Sequence, residues 1–256
     1  MEDFTKIFVE LGSQIMRSIR AKTDMDRLGD VVGQGSDGTP TKLVDKISED
    51  TVIRYFDEFD LPFNIISEEA GLISRGYDEN AVIDPIDGTT NFIAGIPMYA
   101  ISIAVMREDF DSLRYGFVMN LANGDFYHAA KDHGFYINGK PVNRKKPGNG
   151  IFLAAISGGI DPKTSLLLRR ARKTRALGCS SLELALVSAG SADIAIHLGI
   201  GNEIRNVDVA AGVVMVREIG GEVLDEDGNK LNFGKTTSDR KNMIAYRERG
   251  TVEGIF

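Results

Sequence analysis

The stretch Asp84-Pro85-Ile86-Asp87-Gly88-Thr89-Thr90-Asn91 decides how this chain of 256 residues is interpreted. The apolar residues before it predict a buried strand that ends at Pro85, because proline cannot donate a hydrogen bond within a sheet. Gly88 permits a sharp turn, and the polar residues after it can cap a helix. Carboxylates at a strand end can hold a hard cation, and N–H groups at a helix start can hold a phosphate. The stretch therefore predicts a point where metal and phosphate meet, although a solvated turn is an equal alternative for Asp87-Gly88 alone.

A second predicted strand also ends in carboxylates. Residues 63–66 are mostly apolar and are followed by Ser67-Glu68-Glu69. If this strand lies beside the strand at 81–83, Glu68 and Asp84 converge at one edge of the sheet. An isolated Glu-Glu pair would be a solvated turn, so this interpretation depends on the two strands being neighbours.

Two more acids stand at predicted helix starts. Asp45 lies in the first turn of a helix that Thr39 or Thr41 can cap, and Asp208 lies in the first turn of a helix at 207–218. The helix dipole favours a negative charge there, so each acid has a structural explanation as well as a functional one. The functional explanation requires both side chains to face the carboxylates above.

The remaining elements follow from hydrophobic periodicity and breaker residues. An amphipathic helix is predicted from Phe4 to Ile19, a mobile loop over 29–40, and antiparallel strands at 99–106, 113–120, 125–130 and 135–137. The polar stretch 144–150 predicts an internal boundary. Beyond it, strands are predicted at 151–156, 193–197, 222–224 and 243–245, with helices at 162–174, 180–189 and 207–218.

Composition restricts the function. The hydrophobic fraction is 43% and the mean hydropathy is −0.11, which suits a normal core. A net charge of −7 and a pI of about 5.1 argue against a nucleic-acid partner. Cys179 is the only cysteine, so no internal disulfide can form. The chain lacks a signal-peptide pattern and any apolar run near the roughly 20 residues of a membrane span, which predicts a soluble cytoplasmic protein with no membrane partner.

Several motifs are excluded. Residues 33–38 fit G-x-G-x-x-G, but Pro40 follows where a dinucleotide site needs a helix. Residues 225–229 resemble part of an EF-hand loop with a misplaced glycine, and predict a hairpin turn instead. No GxxxxGK[ST] loop is present, which excludes that class of kinase. Neither Cys179 nor the three histidines have the partners of an activated nucleophile.

Four segments now stand together: Asp45 after a glycine-rich loop, residues 67–69, residues 84–89, and Asn206-Val207-Asp208-Val209-Ala210-Ala211-Gly212. This set resembles the inositol monophosphatase family of magnesium-dependent, lithium-sensitive phosphatases. The segment DPIDGTTNF is highly specific for that family, and the likeness covers nearly the whole chain. The TPTKLVD and ISEEAG segments look most like the archaeal members that act on both fructose 1,6-bisphosphate and inositol monophosphate.

The resemblance implies roles for particular residues. The metal ligands would be Glu68, Asp84, the Ile86 carbonyl, Asp87 and Asp208, holding two to three Mg²⁺ ions with Mn²⁺ as a substitute. The catalytic residues would be Asp45, Thr89 and Glu68. The substrate would contact Asp87, Gly88, Thr89, Ser180 and Arg175, with Ser180 at the sugar or inositol ring and Arg175 at the far end. Glu203 and Arg205 are candidates for ring recognition, and surface roles are equally good explanations for them.

The resemblance also implies a fold and an activity. The fold would be an α/β (α+β) sandwich with αβαβα layers, the sugar-phosphatase fold. An antiparallel sheet would occupy the half at 1–150 and a mixed sheet the half at 151–256, with the site between them and a homodimer as the assembly. The activity would be hydrolysis of fructose 1,6-bisphosphate or myo-inositol 1-phosphate by in-line attack of a metal-activated water, in carbohydrate metabolism such as gluconeogenesis. A 3′-phosphoadenosine-type nucleotide phosphatase and a non-catalytic phosphosugar-binding protein remain alternatives.

Overall fold

A computed structural model describes residues 2–22, 25–36, 38–142 and 148–256. The helices in these ranges are α1 (Glu2–Arg20), α2 (Leu43–Glu58), α3 (Thr89–Ile93), α4 (Pro162–Leu168), α5 (Ser180–Ser188) and α6 (Asn206–Glu218). The strands are β1 (Val31–Gln34), β2 (Pro40–Lys42), β3 (Asn64–Ser67), β4 (Gly71–Ile73), β5 (Asn80–Asp87), β6 (Ala100–Met106), β7 (Tyr115–Asn120), β8 (Phe126–Ala130), β9 (Gly134–Ile137), β10 (Lys140–Pro141), β11 (Ile151–Ala154), β12 (Lys173–Arg175), β13 (Ile194–His197), β14 (Glu222–Leu224) and β15 (Met243–Tyr246).

The first large sheet brings the two carboxylate-bearing strands together. Its eight strands have the order β10-β9-β8-β7-β6-β5-β3-β4. β3 and β5 are parallel, with Ser67 opposite Ile83, whereas the other neighbours in this sheet are antiparallel. Because Ser67 is opposite Ile83, Glu68 just beyond β3 and Asp84 on β5 lie side by side at the same edge. The predicted antiparallel meander and the predicted convergence at one edge are both confirmed.

The second large sheet is mixed, as expected for the C-terminal half. Its order is β12-β11-β13-β15-β14. The first three strands are parallel to one another, and β15 is antiparallel to both of its neighbours.

Helices cover and separate the sheets in five layers. α1 and α2 pack on one face of the first sheet through a core that includes Phe8, Phe56 and Phe117. α5 and α6 fill the space between the two sheets, and the outer face of the second sheet packs on α4. α6 is buried from Asn206 to Val216, which explains why its sequence is apolar nearly all round. The αβαβα architecture is therefore confirmed.

The strand that carries the central motif does not stop at Pro85. β5 continues to Asp87, and its pairing with β6 shifts register between Asp84 and Asp87. The irregularity accommodates Pro85, because a proline without an N–H group is tolerated where the ladder is interrupted. The predicted end of the strand was wrong for this reason.

The predicted mobile loop contains a β-hairpin. β1 and β2 pair antiparallel, and Ser36 at the hairpin end is bonded to the turn between β3 and β4. Its N–H donates to the Glu69 carbonyl at 2.9 Å, and its Oγ donates to the Glu68 carbonyl at 2.8 Å. Asp37 lies outside the described residues. The hairpin is thus attached directly to the carboxylate edge.

Three other predicted boundaries were displaced. α2 is capped from Lys42 rather than from Thr39 or Thr41. α4 ends at Leu168, and of the basic residues that follow only Lys173 and Arg175 lie on the exposed edge strand β12, where charged side chains suit an unpaired edge. β11 ends at Ala154, short of the predicted 156. The proposed internal boundary falls mainly on 144–147, which lie outside the described residues, so the division into halves near residue 150 stays a prediction.

Candidate active site

The central feature of the site is a group of buried carboxylates at the edge of the first sheet. Asp84 is 2% exposed, Asp208 is 7% exposed and Asp87 is 8% exposed, while Glu68 is partly buried beside them. Asp84 lies on β5 with its Oδ1 accepting the Ile86 N–H at 3.0 Å. Acidic side chains are rarely buried to this extent unless they are paired or bind a cation.

Asp87 joins the first sheet to the start of α5. Its Oδ2 accepts the Ser181 N–H at 2.7 Å and the Ser181 hydroxyl at 2.6 Å. The Cys179 thiol donates to the same oxygen at 3.2 Å. Burial, followed by the charge of Asp87, raises the pKa of Cys179 well above its usual value, so this thiol is not an activated nucleophile.

Asp208 reaches the site from the third position of α6. Its Oδ2 accepts the backbone N–H of Arg205 at 2.7 Å, which caps the helix. The Arg205 side chain folds over the same carboxylate, with Nη2 2.8 Å from Oδ1. Nη1 of Arg205 also contacts Glu68, so one guanidinium bridges the end of β3 and the start of α6.

Asp45 faces the site as the functional interpretation required. Its Oδ1 accepts the Thr89 hydroxyl at 2.8 Å, and its Oδ2 accepts the Lys42 N–H at 3.0 Å. The Thr89 Oγ also lies 3.1 Å from the Ile86 carbonyl oxygen. The pair places a carboxylate and a hydroxyl, from α2 and α3, at the end of β5.

Gly88 is required where the chain turns from β5 into α3. Its φ is +88°, and an added Cβ would lie 2.8 Å from the Met98 carbonyl oxygen and 3.3 Å from the Cys179 Cβ. A side chain here would meet both backbone strain and a backbone contact.

The carboxylates strongly disfavour one another's charge. Burial, with the charges of Glu68, Asp87 and Asp208, raises the pKa of Asp84 well above its usual value. Burial and Asp208 raise the pKa of Asp87 to about 6. Burial raises the pKa of Glu68 to about 7, although Arg205 opposes this shift. Burial also raises the pKa of Asp45, against the hydrogen bond from Thr89. A cation bound among these groups would relieve their repulsion.

The donor set fits a hard divalent cation. The available ligands are carboxylate and carbonyl oxygens, which Mg²⁺ prefers, and they come from buried positions that need compensating charge. Within the described ranges, no three acidic, thiol or imidazole groups already stand at the spacing of a metal cage. Glu68 and Asp208 are instead turned toward Arg205. Carboxylates rotate readily about their side-chain bonds, so the fit lies in the ligand chemistry and not in a preformed cage.

Two other residues, Arg175 and Ser180, are predicted to contact the substrate. Arg175 is exposed on β12 and donates to the Thr174 carbonyl at 2.7 Å. Ser180 is half-buried at the first position of α5. In the described part of the chain, neither side chain is hydrogen-bonded or ion-paired to the carboxylates, although Ser180 stands between Cys179 and Ser181, which both bond Asp87. Their roles stay predictions.

Sequence reasoning missed two contributors. Ser181, and not the neighbouring Ser180, holds Asp87. Arg205 was considered for ring recognition or the surface, yet its side chain is 13% exposed and contacts two acidic groups of the site. Its position three residues before Asp208 is a local signal that could have suggested the contact. Glu203 accepts the Gly201 N–H at 2.7 Å within its own loop.

Comparisons with known proteins identify the family. The model of the inositol monophosphatase family matches residues 1–253. A fructose-1,6-bisphosphatase/inositol-1-monophosphatase of Thermococcus kodakarensis is 33% identical over 254 residues, covering 99% of this chain and 96% of that protein. A bifunctional NADP phosphatase/NAD kinase of Methanococcus maripaludis is 30% identical over 283 residues, covering 99% of this chain and 49% of that protein.

The fold comparison gives the same result. A solved structure from Pyrococcus horikoshii, described as having similarities to inositol-1 monophosphatase, superposes with a TM-score of 0.80 at 30% identity, covering 98% of this chain and 97% of that one. No helix in the described part of the chain has the length and apolar character of a membrane span. Members of the matched family are generally Mg²⁺-dependent. From the family match, the relatives and the site, the chain belongs to the inositol monophosphatase family and is a phosphoric monoester hydrolase.

Proposed function

We propose that this hydrolase releases phosphate from fructose 1,6-bisphosphate and myo-inositol 1-phosphate. The observation that carries the proposal is the Asp45–Thr89 hydrogen bond beside the buried carboxylates, because it supplies a base next to a cation site. The substrates are those for which the Thermococcus kodakarensis relative is named.

The metal ligands in this proposal are Glu68, Asp84, the Ile86 carbonyl, Asp87 and Asp208. They would hold two to three Mg²⁺ ions, with Mn²⁺ as a substitute. When bound, the ions supply charge neutralisation for the phosphate and the leaving oxygen, and increase the acidity of water. Asp87 is held for this role by Ser181, which fixes the direction of one of its oxygens.

Thr89 and Asp45 would prepare the attacking water. The Thr89 hydroxyl donates a hydrogen bond to Asp45, so lone pairs of the Thr89 oxygen can accept a hydrogen bond from water. Because burial raises the pKa of Asp45, its carboxylate is a better proton acceptor than an exposed aspartate. Water oriented here would attack phosphorus opposite the ester oxygen, and no covalent enzyme intermediate is needed.

The backbone would hold the phosphate where the chain turns at Gly88. Backbone N–H groups at the first positions of α3 have no acceptor within the helix, and those of Gly88 and Thr89 would bind phosphate oxygens together with the cations. Ser180 would contact the sugar or inositol ring, and Arg175 the far end of the substrate. A homodimer is the proposed assembly, which sedimentation velocity would test directly.

The test is phosphate release from both substrates, measured side by side in Mg²⁺ and in chelator. We expect turnover of both substrates in Mg²⁺ and none in chelator. The Asp84→Asn variant should fold and lose activity, because it removes a charge from the centre of the cluster. Substantial turnover by this variant in Mg²⁺ would contradict the metal assignment.

A nucleotide 2′-phosphate is the second candidate substrate. It is favoured by the Methanococcus maripaludis relative, whose name includes NADP phosphatase and which matches this chain over 49% of its own length. Including NADP in the same assay separates the two candidates. Turnover of NADP with neither sugar nor inositol phosphate would replace the first proposal with the second.

A further inference from the structure

Arg205 lies where the proposed function places cations. Its guanidinium contacts Glu68 through Nη1 and Asp208 through Nη2, the latter at 2.8 Å. Nε lies 3.2 Å from each oxygen of Asp208. The side chain is 13% exposed and joins residues 137 positions apart in the chain. This is a built contact in the site and not a surface ion pair.

The guanidinium and a metal ion would need the same oxygens. Oδ1 of Asp208 is occupied by side-chain N–H groups of Arg205, and Oδ2 also accepts the Arg205 backbone N–H at 2.7 Å. A cation must approach a lone pair that points at it, and each carboxylate oxygen has few to offer. The absence of a ready metal cage among the described residues is consistent with carboxylates arranged around the arginine.

Charge gives a second reason for competition. Four carboxylates, those of Glu68, Asp84, Asp87 and Asp208, influence one another in this cluster, and Arg205 is the cation that pairs with two of them. One positive charge leaves the cluster negative, which favours a divalent ion. Like charges a few ångströms apart repel strongly in a buried site, so the ion and the guanidinium disfavour each other's presence.

We propose that Arg205 is the counter-cation of the metal-free site and that its guanidinium leaves Glu68 and Asp208 when a metal ion binds. The inference rests on the proposed function, which assigns these two carboxylates as ligands. The backbone N–H of Arg205 can keep capping Asp208, so only the side chain has to move. Arg205 thereby stabilises the metal-free protein and weakens metal binding.

The test measures Mn²⁺ binding by calorimetry for the native protein, R205Q, R205K and the control R114Q. Arg114 makes a two-bonded but more exposed pair with Glu79 at 2.6 Å, just before β7 and β5. We expect Mn²⁺ to bind R205Q about tenfold more tightly than the native protein, which corresponds to about 1.4 kcal/mol. R205K should lie between them, because lysine keeps the charge and lacks the planar fork. R114Q should match the native protein.

Thermal unfolding supplies a readout that does not depend on turnover. In chelator, R205Q should unfold at a lower temperature than the native protein, and the increase on adding Mn²⁺ should be larger for R205Q. If R205Q does not fold, tighter Mn²⁺ binding by R205K than by the native protein supports the inference. Equal or weaker Mn²⁺ binding by the folded variants, beside a native protein that binds Mn²⁺, overturns the inference alone. A native protein that binds no Mn²⁺ overturns the ligand assignment and the inference together.

Discussion

Replacing Ser181 with alanine tests how strongly the buried Asp87 depends on a hydroxyl from another layer of the fold. The hydroxyl donates to Oδ2 at 2.6 Å, and Ser181 is 0% exposed. A hydrogen bond to a charged group contributes about 1.5–3 kcal/mol, against about 0.5–1.5 kcal/mol for a neutral pair. We therefore expect Ser181→Ala to lower the free energy of unfolding at pH 8.5, in chelator, by about 1.5–3 kcal/mol.

The effect should depend on pH with a definite sign. Burial and Asp208 raise the pKa of Asp87 to about 6, and the Ser181 hydroxyl opposes that increase by favouring the ionised form. Without the hydroxyl, the pKa of Asp87 should increase further by about one to two units, at 1.36 kcal/mol per unit. The contribution of the hydroxyl is therefore complete at pH 8.5, above the raised pKa of the variant, and decreases as the pH falls from that pKa to about 6. At pH 5 the loss should be only that of a neutral hydrogen bond.

Ser188→Ala is a matched control on the same helix. Ser188 is 3% exposed, and its hydroxyl donates to the neutral Leu184 carbonyl at 2.9 Å. Urea unfolding of both variants at pH 8.5 and pH 5 gives the comparison, with the slope on urea checked for constancy. The reasoning is refuted if Ser181→Ala loses no more stability than Ser188→Ala at pH 8.5, or if its loss is the same at both pH values.

Three further predictions concern the surroundings of the site. Thr89→Ala should lower turnover about 10²–10⁴-fold while Mn²⁺ binding persists, and Thr89→Ser should keep most of the activity; equal turnover in both variants would exclude a role for the hydroxyl. Burial lowers the pKa of His197, but the hydrogen bond and charge of Glu183 outweigh burial and raise the pKa above the usual 6.5. The stability gained by protonating this histidine is therefore complete below pH 6.5 and is lost as the pH rises through the raised pKa. Glu183→Gln should therefore destabilise the protein more at pH 6 than at pH 9 in urea unfolding, and a loss that does not change with pH would contradict this. Gly88→Ala should reduce both stability and turnover more than Gly95→Ala, because both glycines have positive φ but only Gly88 lacks space for a Cβ; equal losses in thermal unfolding would show that strain alone is responsible.

The convergence of carboxylates was predictable because it depends on where apolar runs end. The runs before Glu68 and Asp84 are short and apolar, and the polar residues that end them mark the strand ends. Which strands are neighbours is a non-local property, and here β3 and β5 are parallel with the short β4 beside β3. The prediction therefore rested on a correct local pattern, and the pairing of β3 with β5 was needed to confirm it.

Two of the missed strands, β1 and β12, share a physical cause. β1 is exposed along its whole length, and β12 likewise, so neither has the alternation of buried and exposed residues that identifies a strand. Backbone pairing with a partner strand forms them instead. Pro85 was predicted to end its strand because a proline interrupts a regular ladder. The register shift that accommodates Pro85 depends on the neighbouring strand and is not visible in the sequence.

The residues missed in the site are those held by long-range contacts. Ser181 binds Asp87 across 94 positions, and Arg205 contacts Glu68 across 137. No periodic pattern in the sequence identifies such a pair, because each residue would fit its own helix or strand equally well without the contact. The family resemblance assigned the acidic residues, and only the packed structure shows which neutral and basic groups hold them.

The geometry of the site is set by close helix packing more than by loops. Asp208 is carried by α6, whose position is fixed on both sides by glycines: a Cβ on Gly116 of β7 would lie 2.4 Å from the Ala211 carbonyl oxygen, and one on Gly212 would lie 2.3 Å from the Leu184 Cβ of α5. Asp87, in turn, is tied to the first turn of α5. Because α5 and α6 form the layer between the two sheets, the acidic groups of the first sheet and Asp208 of α6 can meet only when that layer is packed. Metal affinity should therefore depend on the core as well as on the ligands, since a rigid supporting structure is what holds charged groups at short separation before the cation arrives.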